Sequence, residues 1–180
     1  INISKQRGRQ FTKKDFEEFD YIYVMDSSNY HDVMRLSNNK SDQEKVQFIL
    51  EELFRQDAQN AVVIIADEES VEEGINAGVG QTVNLLVGGK RDNFHGKPLA
   101  LSGMVKLISN GVFLNRGQMR DGLIENMGKT VVVESRGIKI VLTGIKMPPW
   151  NLEQLRSVGI EPRYENIIVL KSAVAFRAAY

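Results

Sequence analysis

Few residues in this 180-residue sequence have much chemical reach, and their spacing limits what they can do. There is no cysteine, which excludes a disulfide framework, a thiolate zinc site and a cysteine nucleophile together. The two histidines, His31 and His95, are far apart. Neither has a partner four residues away on a helix or the spacing of a zinc finger. No metal site and no catalytic residue are therefore expected within the chain. His31 reads as a solvent-facing or capping histidine. His95 lies in the polar stretch Lys90-Arg-Asp-Asn-Phe-His-Gly96, where it either orders a loop or lines a ligand cleft. Asn115-Arg116-Gly117 sets a guanidinium beside a glycine turn, which suits a carboxylate and equally suits a solvated surface hairpin. Lys171-Ser172 ends an apolar strand, so its polar groups either reach a cleft or protect a sheet edge from aggregation. Arg177 alternates with Phe176, as a water-facing residue would. The candidate ligand cleft is thus His95, Asn115, Arg116, Lys171 and Ser172. Gly74, Gly78 and Gly80 do not make a dinucleotide site, because the Gly-x-Gly of 78–80 follows a helix instead of joining a strand to one.

Composition narrows the partners. Lys plus Arg and Asp plus Glu are both 23, giving zero formal charge and no electrostatic case for nucleic acid or an anionic membrane. No apolar run approaches the roughly 18 residues of a membrane span. Hydrophobic content of 42% and charged content of 26% are those of a globular domain, and the missing cysteine fits a reducing cytoplasm. A start at Ile1 and a finish inside the apolar run 173–180 read as an excerpt of a longer sequence.

Arg9-Gln10-Phe11-Thr12, followed by Phe19-Asp-Tyr-Ile-Tyr-Val-Met-Asp-Ser-Ser-Asn29, resembles the middle of low-molecular-weight protein tyrosine phosphatases over about residues 1–53. That resemblance implies a piece of a flavodoxin-like domain. The family's thiolate loop and its Asp-Pro general-acid loop have no counterparts: there is no Cys, and no Asp precedes Pro98, Pro148, Pro149 or Pro162. The family's usual His before Ala-Arg-Gln is replaced by Gln6. Asp26 and Ser28 match the motif and are left with structural roles.

A second ordered set runs through Ala77-Gly-Val-Gly80, Gly88-Gly-Lys90, His95-Gly-Lys-Pro-Leu99, Gly111-Val-Phe-Leu-Asn-Arg-Gly117, Gly159-Ile-Glu-Pro162, Val169-Leu-Lys-Ser172 and Phe176-Arg-Ala178. It is similar to the C-terminal domain of MlrC-type proteins, a family assigned to zinc metallopeptidases and named for microcystin degradation, from about residue 48 to 180. Where that family commonly has His, this chain has Ala175. The resemblance implies that zinc is held by a larger N-terminal domain and not by this chain. It also implies a metal-binding catalytic domain as partner, with self-association as the alternative.

The elements that must position these residues follow from pattern. Thr12 with Asp15 is an acidic variant of the capping box. Tyr21-Ile-Tyr-Val-Met25 reads as a strand with an unpaired edge, and Ser27 or Ser28 as the cap of the next helix. Ser41 and Glu44 read as a second box, opening one helix over 41–55 whose apolar stripe is Val46, Ile49, Leu50, Leu53 and Phe54. Strands follow at 61–66, 82–87, 99–108, 112–114, 130–134, 138–143, 166–170 and 173–180. A helix capped by Asp67 or Ser70 closes at Gly78, and a short one runs from Asn151 with Gln154 to Gly159. Ser135-Arg-Gly137 reads as a hairpin turn. The expected fold class is α+β: a mainly antiparallel sheet domain with short helices over 54–180, preceded by an incomplete α/β phosphatase-like fragment over 1–53. The two resemblances meet in the shared helix, so the sequence reads as a chimaera joined between about Lys45 and Asp57. The expected function is a non-metal-binding accessory domain of an MlrC-type metallohydrolase. A nucleophile-free phosphatase remnant and a carboxylate- or peptide-binding module are the rivals.

Overall fold

The computed structural model describes residues 9–25, 27–88, 98–172, 176 and 179–180, with the side chains of residues 27 and 28 outside the description. The chain opens with helix α1 (Asp15–Glu18), where Asp15 accepts the Thr12 backbone N–H at 2.6 Å, the back-bond expected of the acidic box. Strand β1 (Ile22–Val24), helix α2 (Ser27–Met34), helix α3 (Lys40–Glu44), strand β2 (Val46–Phe48) and helix α4 (Ile49–Arg55) follow.

The single helix expected over 41–55 is therefore broken in two by a strand. The apolar residues from Val46 onward keep helical spacing, yet β1 offers Val46-Gln47-Phe48 a parallel partner in the register Ile22↔Val46 and Val24↔Phe48. That pairing buries Val46 with Phe16, Ile22, Val24 and Val33 in a small cluster of their own. Leu50 and Leu53 of α4 turn the other way and join the main core. The edge of β1 that the sequence leaves unpaired is thus covered on one side. The cap of α3 is Asn39, whose Oδ1 accepts the Asp42 N–H at 2.8 Å, in place of Ser41.

The larger part contains strand β3 (Ala61–Ala66), helix α5 (Glu68–Ala77), and strands β4 (Thr82–Val87), β5 (Leu99–Ser109), β6 (Val112–Leu114), β7 (Ile124–Asn126), β8 (Thr130–Ser135) and β9 (Ile138–Thr143). Helix α6 (Glu153–Arg156), a 3-10 turn (Pro162–Tyr164) and strand β10 (Ile167–Val169) complete it. Six strands form one mixed sheet in the order β10-β3-β9-β8-β5-β4. The β9-β8-β5-β4 pairings are antiparallel, whereas β10-β3 and β3-β9 are parallel. The chain thus has mixed α and β content with short helices, and the expectation of a mainly antiparallel sheet holds for three of the five described pairings. β3 owes its parallel neighbours to distant segments, which local pattern does not reveal. At the other end, the tail expected as a strand over 173–180 lies largely outside the described residues. Its described part makes a turn, with the Ala179 and Tyr180 N–H groups donating to Phe176 O at 3.0 and 2.9 Å.

Two features shape the sheet. β5 pairs with β4 through its first half and with β8 through its second, and the register shifts between Val105 and Leu107. Such a bulge bends a strand, letting β4 fold around towards α5. The β8–β9 turn has Arg136 at φ 47° and Gly137 at φ 82°, the left-handed pair of a tight hairpin. Helices α4 and α5 pack one face of the sheet, around Val63, Val71, Val131, Val133 and Ile140. The β6–β7 hairpin and α6 pack the other, around Val62, Phe113, Met127, Val141 and Leu155.

Candidate functional site

Lys171 and Ser172 follow β10 directly, two and three residues beyond Val169, whose register partner is Val63 of β3. Both therefore approach the carboxyl ends of the parallel strands, where ligands of open α/β sheets collect. Asp67 stands at that end. Its carboxylate caps α5 by accepting the Ser70 N–H at 3.1 Å and also accepts the Gly88 N–H at 2.9 Å. Ser70 Oγ donates to Leu86 O at 3.2 Å, so the end of β4 is held against the start of α5. The bent β5 thereby delivers Gly88 to the same end of the sheet as Lys171 and Ser172. His95 and Lys90 lie outside the described residues, as do Asp26, Ala175 and Arg177, and so does the side chain of Ser28.

Burial holds the Lys171 ammonium below the usual lysine range.

Asn115 and Arg116 lie on the β6–β7 hairpin. Asn115 follows β6; its backbone N–H donates to Leu123 O at 2.9 Å and its carbonyl accepts the Gly122 N–H at 3.1 Å, closing a loop over 116–121. Its side chain is fully buried, and neither amide atom has a hydrogen-bond partner among the described residues. Arg116 is exposed, and its backbone carbonyl accepts a hydrogen bond from Asn151 Nδ2 at 3.1 Å. Asn151 Oδ1 in turn accepts the Glu153 N–H at 2.9 Å, so one buried amide ties the loop to the start of α6. The Arg120 guanidinium lies 4.9 Å from the centre of the Trp150 ring and pairs with Glu125. Trp150 Nε1 and Gln154 Oε1 are also buried without described partners. Among the described residues, neither Asn115 nor Arg116 bonds to Lys171 or Ser172.

The buried floor of Trp150, Asn151 and Gln154 was not legible as a site. Asn151 and Gln154 look like an ordinary helix start, and only the tertiary structure sets Asn151 Nδ2 on the Arg116 carbonyl. His31 is partly exposed on α2, its ring edge-to-face with Tyr30 at 5.7 Å. Among the described residues, no three His, Cys, Asp or Glu side chains come close enough to hold a metal ion. Among the same residues no helix is long and apolar enough to cross a membrane.

Against known proteins, the chain is 28% identical over 116 residues to Microcystinase C of Sphingomonas sp, a match covering 64% of this chain and 22% of that protein. Its fold is similar to a crystal structure from Mesorhizobium sp. BNC1 named "Putative metallopeptidase", with a TM-score of 0.63 at 16% identity. That likeness covers 86% of this chain, a share that residues 43–180 alone do not fill, and 34% of the solved chain. The chain thus spans well under half of either relative. The model of the family described as MlrC C-terminus matches residues 43–180, most of the sequence, and the chain belongs to that family.

Proposed function

We infer that this chain is the C-terminal, non-metal-binding accessory domain of an MlrC-type metallohydrolase. It completes a cleft or an interface for a metal-bearing domain outside the chain and is inactive by itself. The observation that carries this reading is the family match over residues 43–180 in a chain spanning 22% and 34% of its relatives. Zinc, when bound by the outside domain, would supply the Lewis acid and the activated water of a metallopeptidase. The residues of this chain would orient and exclude water around substrate.

The N-terminal segment enters this reading as a phosphatase-like extension joined to the domain in a chimaera. Its support is the motif run from Arg9 to Asn29 and the parallel β1–β2 pair bridged by α2 and α3. A second reading, capture of a carboxylate-bearing peptide, draws on the exposed Arg116 on the β6–β7 loop. Metal analysis of the purified 180-residue chain after zinc loading and desalting tests the leading reading. The expected result is well below one zinc per chain and no peptidase turnover. Stoichiometric zinc with turnover overturns it.

A further inference from the structure

The β6–β7 hairpin carries an apolar face that this chain does not cover. In its register Val112 lies opposite Asn126 and Leu114 opposite Ile124, so Val112, Leu114 and Ile124 share one side. The other side is used: Phe113 is buried in the core around α6, and Glu125 is held by Arg120. Ile124 is 74% exposed, Leu123 and Ile145 each about half, with Val112, Leu114 and Met119 close behind. Leu123 and Met119 adjoin the hairpin in the chain, and the Ile145 N–H donates to Met127 O at 3.0 Å at its base. Large aliphatic side chains that share one exposed face and are rimmed by charge mark an interaction site. The rim here is Arg116, Arg120 and Asp121 of the loop, all exposed.

A second open surface, on β4 and β5, is of a different character. There Leu86 and Met104 alternate with Thr82, Asn84, Ser102 and Lys106, and Lys106 pairs with Glu134 at 3.6 Å. A mixed face like that is at home in water.

We propose that the hairpin face formed by Val112, Leu114 and Ile124 is the surface on which the remainder of an MlrC-type chain docks. The occupant follows from proportion. With 22% and 34% of its relatives' lengths accounted for, most of such a protein lies outside this domain and must rest on it somewhere. The hairpin sets three exposed aliphatic side chains together on one face. This inference rests on the accessory-domain reading and names the contact surface for it.

Hydroxyl-radical footprinting reads the burial directly. The 180-residue chain is compared with a full-length fusion in which residues 43–180 replace the matched C-terminal part of the Sphingomonas relative. A second arm mixes the unaltered chain with the rest of that relative in trans. The expected result in either arm is that oxidation of Leu114, Met119 and Ile124 falls about tenfold, while Leu86 and Met104 change by less than about twofold. Protection on β4 and β5 instead, with the hairpin still reactive, overturns the hairpin as the contact while leaving the accessory-domain reading standing. Protection nowhere in either arm sinks both. Hairpin protection that already appears in the chain alone and grows with its concentration assigns the face to a second copy and overturns the proposal.

Discussion

Glu52 shows how one residue couples the two parts of the chain. It sits almost fully buried on α4, where it accepts hydrogen bonds from Arg55 Nε at 2.6 Å and from Gln56, while the Tyr23 hydroxyl of β1 lies 3.5 Å away. The Arg55 hydrogen bond, then that of Gln56, hold its carboxyl down at about 2 against the opposing push of burial. A carboxyl depressed in the folded state contributes stability above its ordinary value of 4.5 and loses that contribution as pH falls from there towards about 2. Asp15, held by Arg9 and the Thr12 N–H, acts in the same direction. The urea midpoint of the unaltered chain is therefore expected to fall between pH 5 and pH 2 more steeply than that of Glu52→Gln, which cannot titrate. Equal slopes would show that the Arg55–Glu52 contact adds nothing to folding. None of this could be read from the sequence, where Glu52 is one acid among several on a helix. Asn115 is the opposite case: its position in Gly-Val-Phe-Leu-Asn-Arg-Gly marked it, but its burial and its unpartnered amide belong to the packing of β6 on α6.

Among the elements, the β6–β7 hairpin depends on a close approach that tolerates no side chain. Gly111 has φ 73°, and a Cβ there would stand 1.9 Å from the Gly128 carbonyl oxygen and 2.9 Å from Thr130 Oγ1. Because the Gly111 carbonyl also accepts the Met127 N–H at 3.0 Å, the backbone cannot withdraw without opening the hairpin base. Gly111→Ala is expected to cost about 2–4 kcal/mol, from the left-handed backbone and the forced overlap together, measured as a shift in chemical unfolding. A change below about 0.5 kcal/mol would mean the two loops are not held together in solution. The tight β8–β9 turn was legible because Ser135-Arg136-Gly137 carries its own geometry. β2 was not, since Val46-Gln-Phe48 continues a helical stripe and becomes a strand only when β1 is beside it. β7 was hidden for a similar reason: Ile124-Glu-Asn126 is too short to declare itself without β6.

At the level of the whole molecule, the packing is uneven. β3, β8 and β9 lie inside the six-stranded sheet with helices or the hairpin on its faces, and Ala61, Val131, Val133, Ile138 and Ile140 are completely buried. β1 and β2 form a two-stranded sheet over a cluster of five buried residues, joined to the main core through α4. Amide exchange is expected to be slowest in β3, β8 and β9, with β1 and β2 exchanging at least about a hundredfold faster through local opening. Uniform protection would mean that the N-terminal segment unfolds only with the whole chain. The sequence by itself determined the residue chemistry and most of the elements. The missing cysteine, the two isolated histidines, the zero net charge and the turn and cap residues act locally and need no partner to be read. The tertiary structure decided which segments pair. It made β10-β3-β9 parallel, folded β4 around the bulge in β5 and set Gly88 against Asp67. It also set Lys171 and Ser172 beyond the end of β10 and placed Asn115 and Arg116 on the β6–β7 loop. Those outcomes depend on contacts between residues distant in the chain, whose free energy comes from burial and pairing that no local window contains.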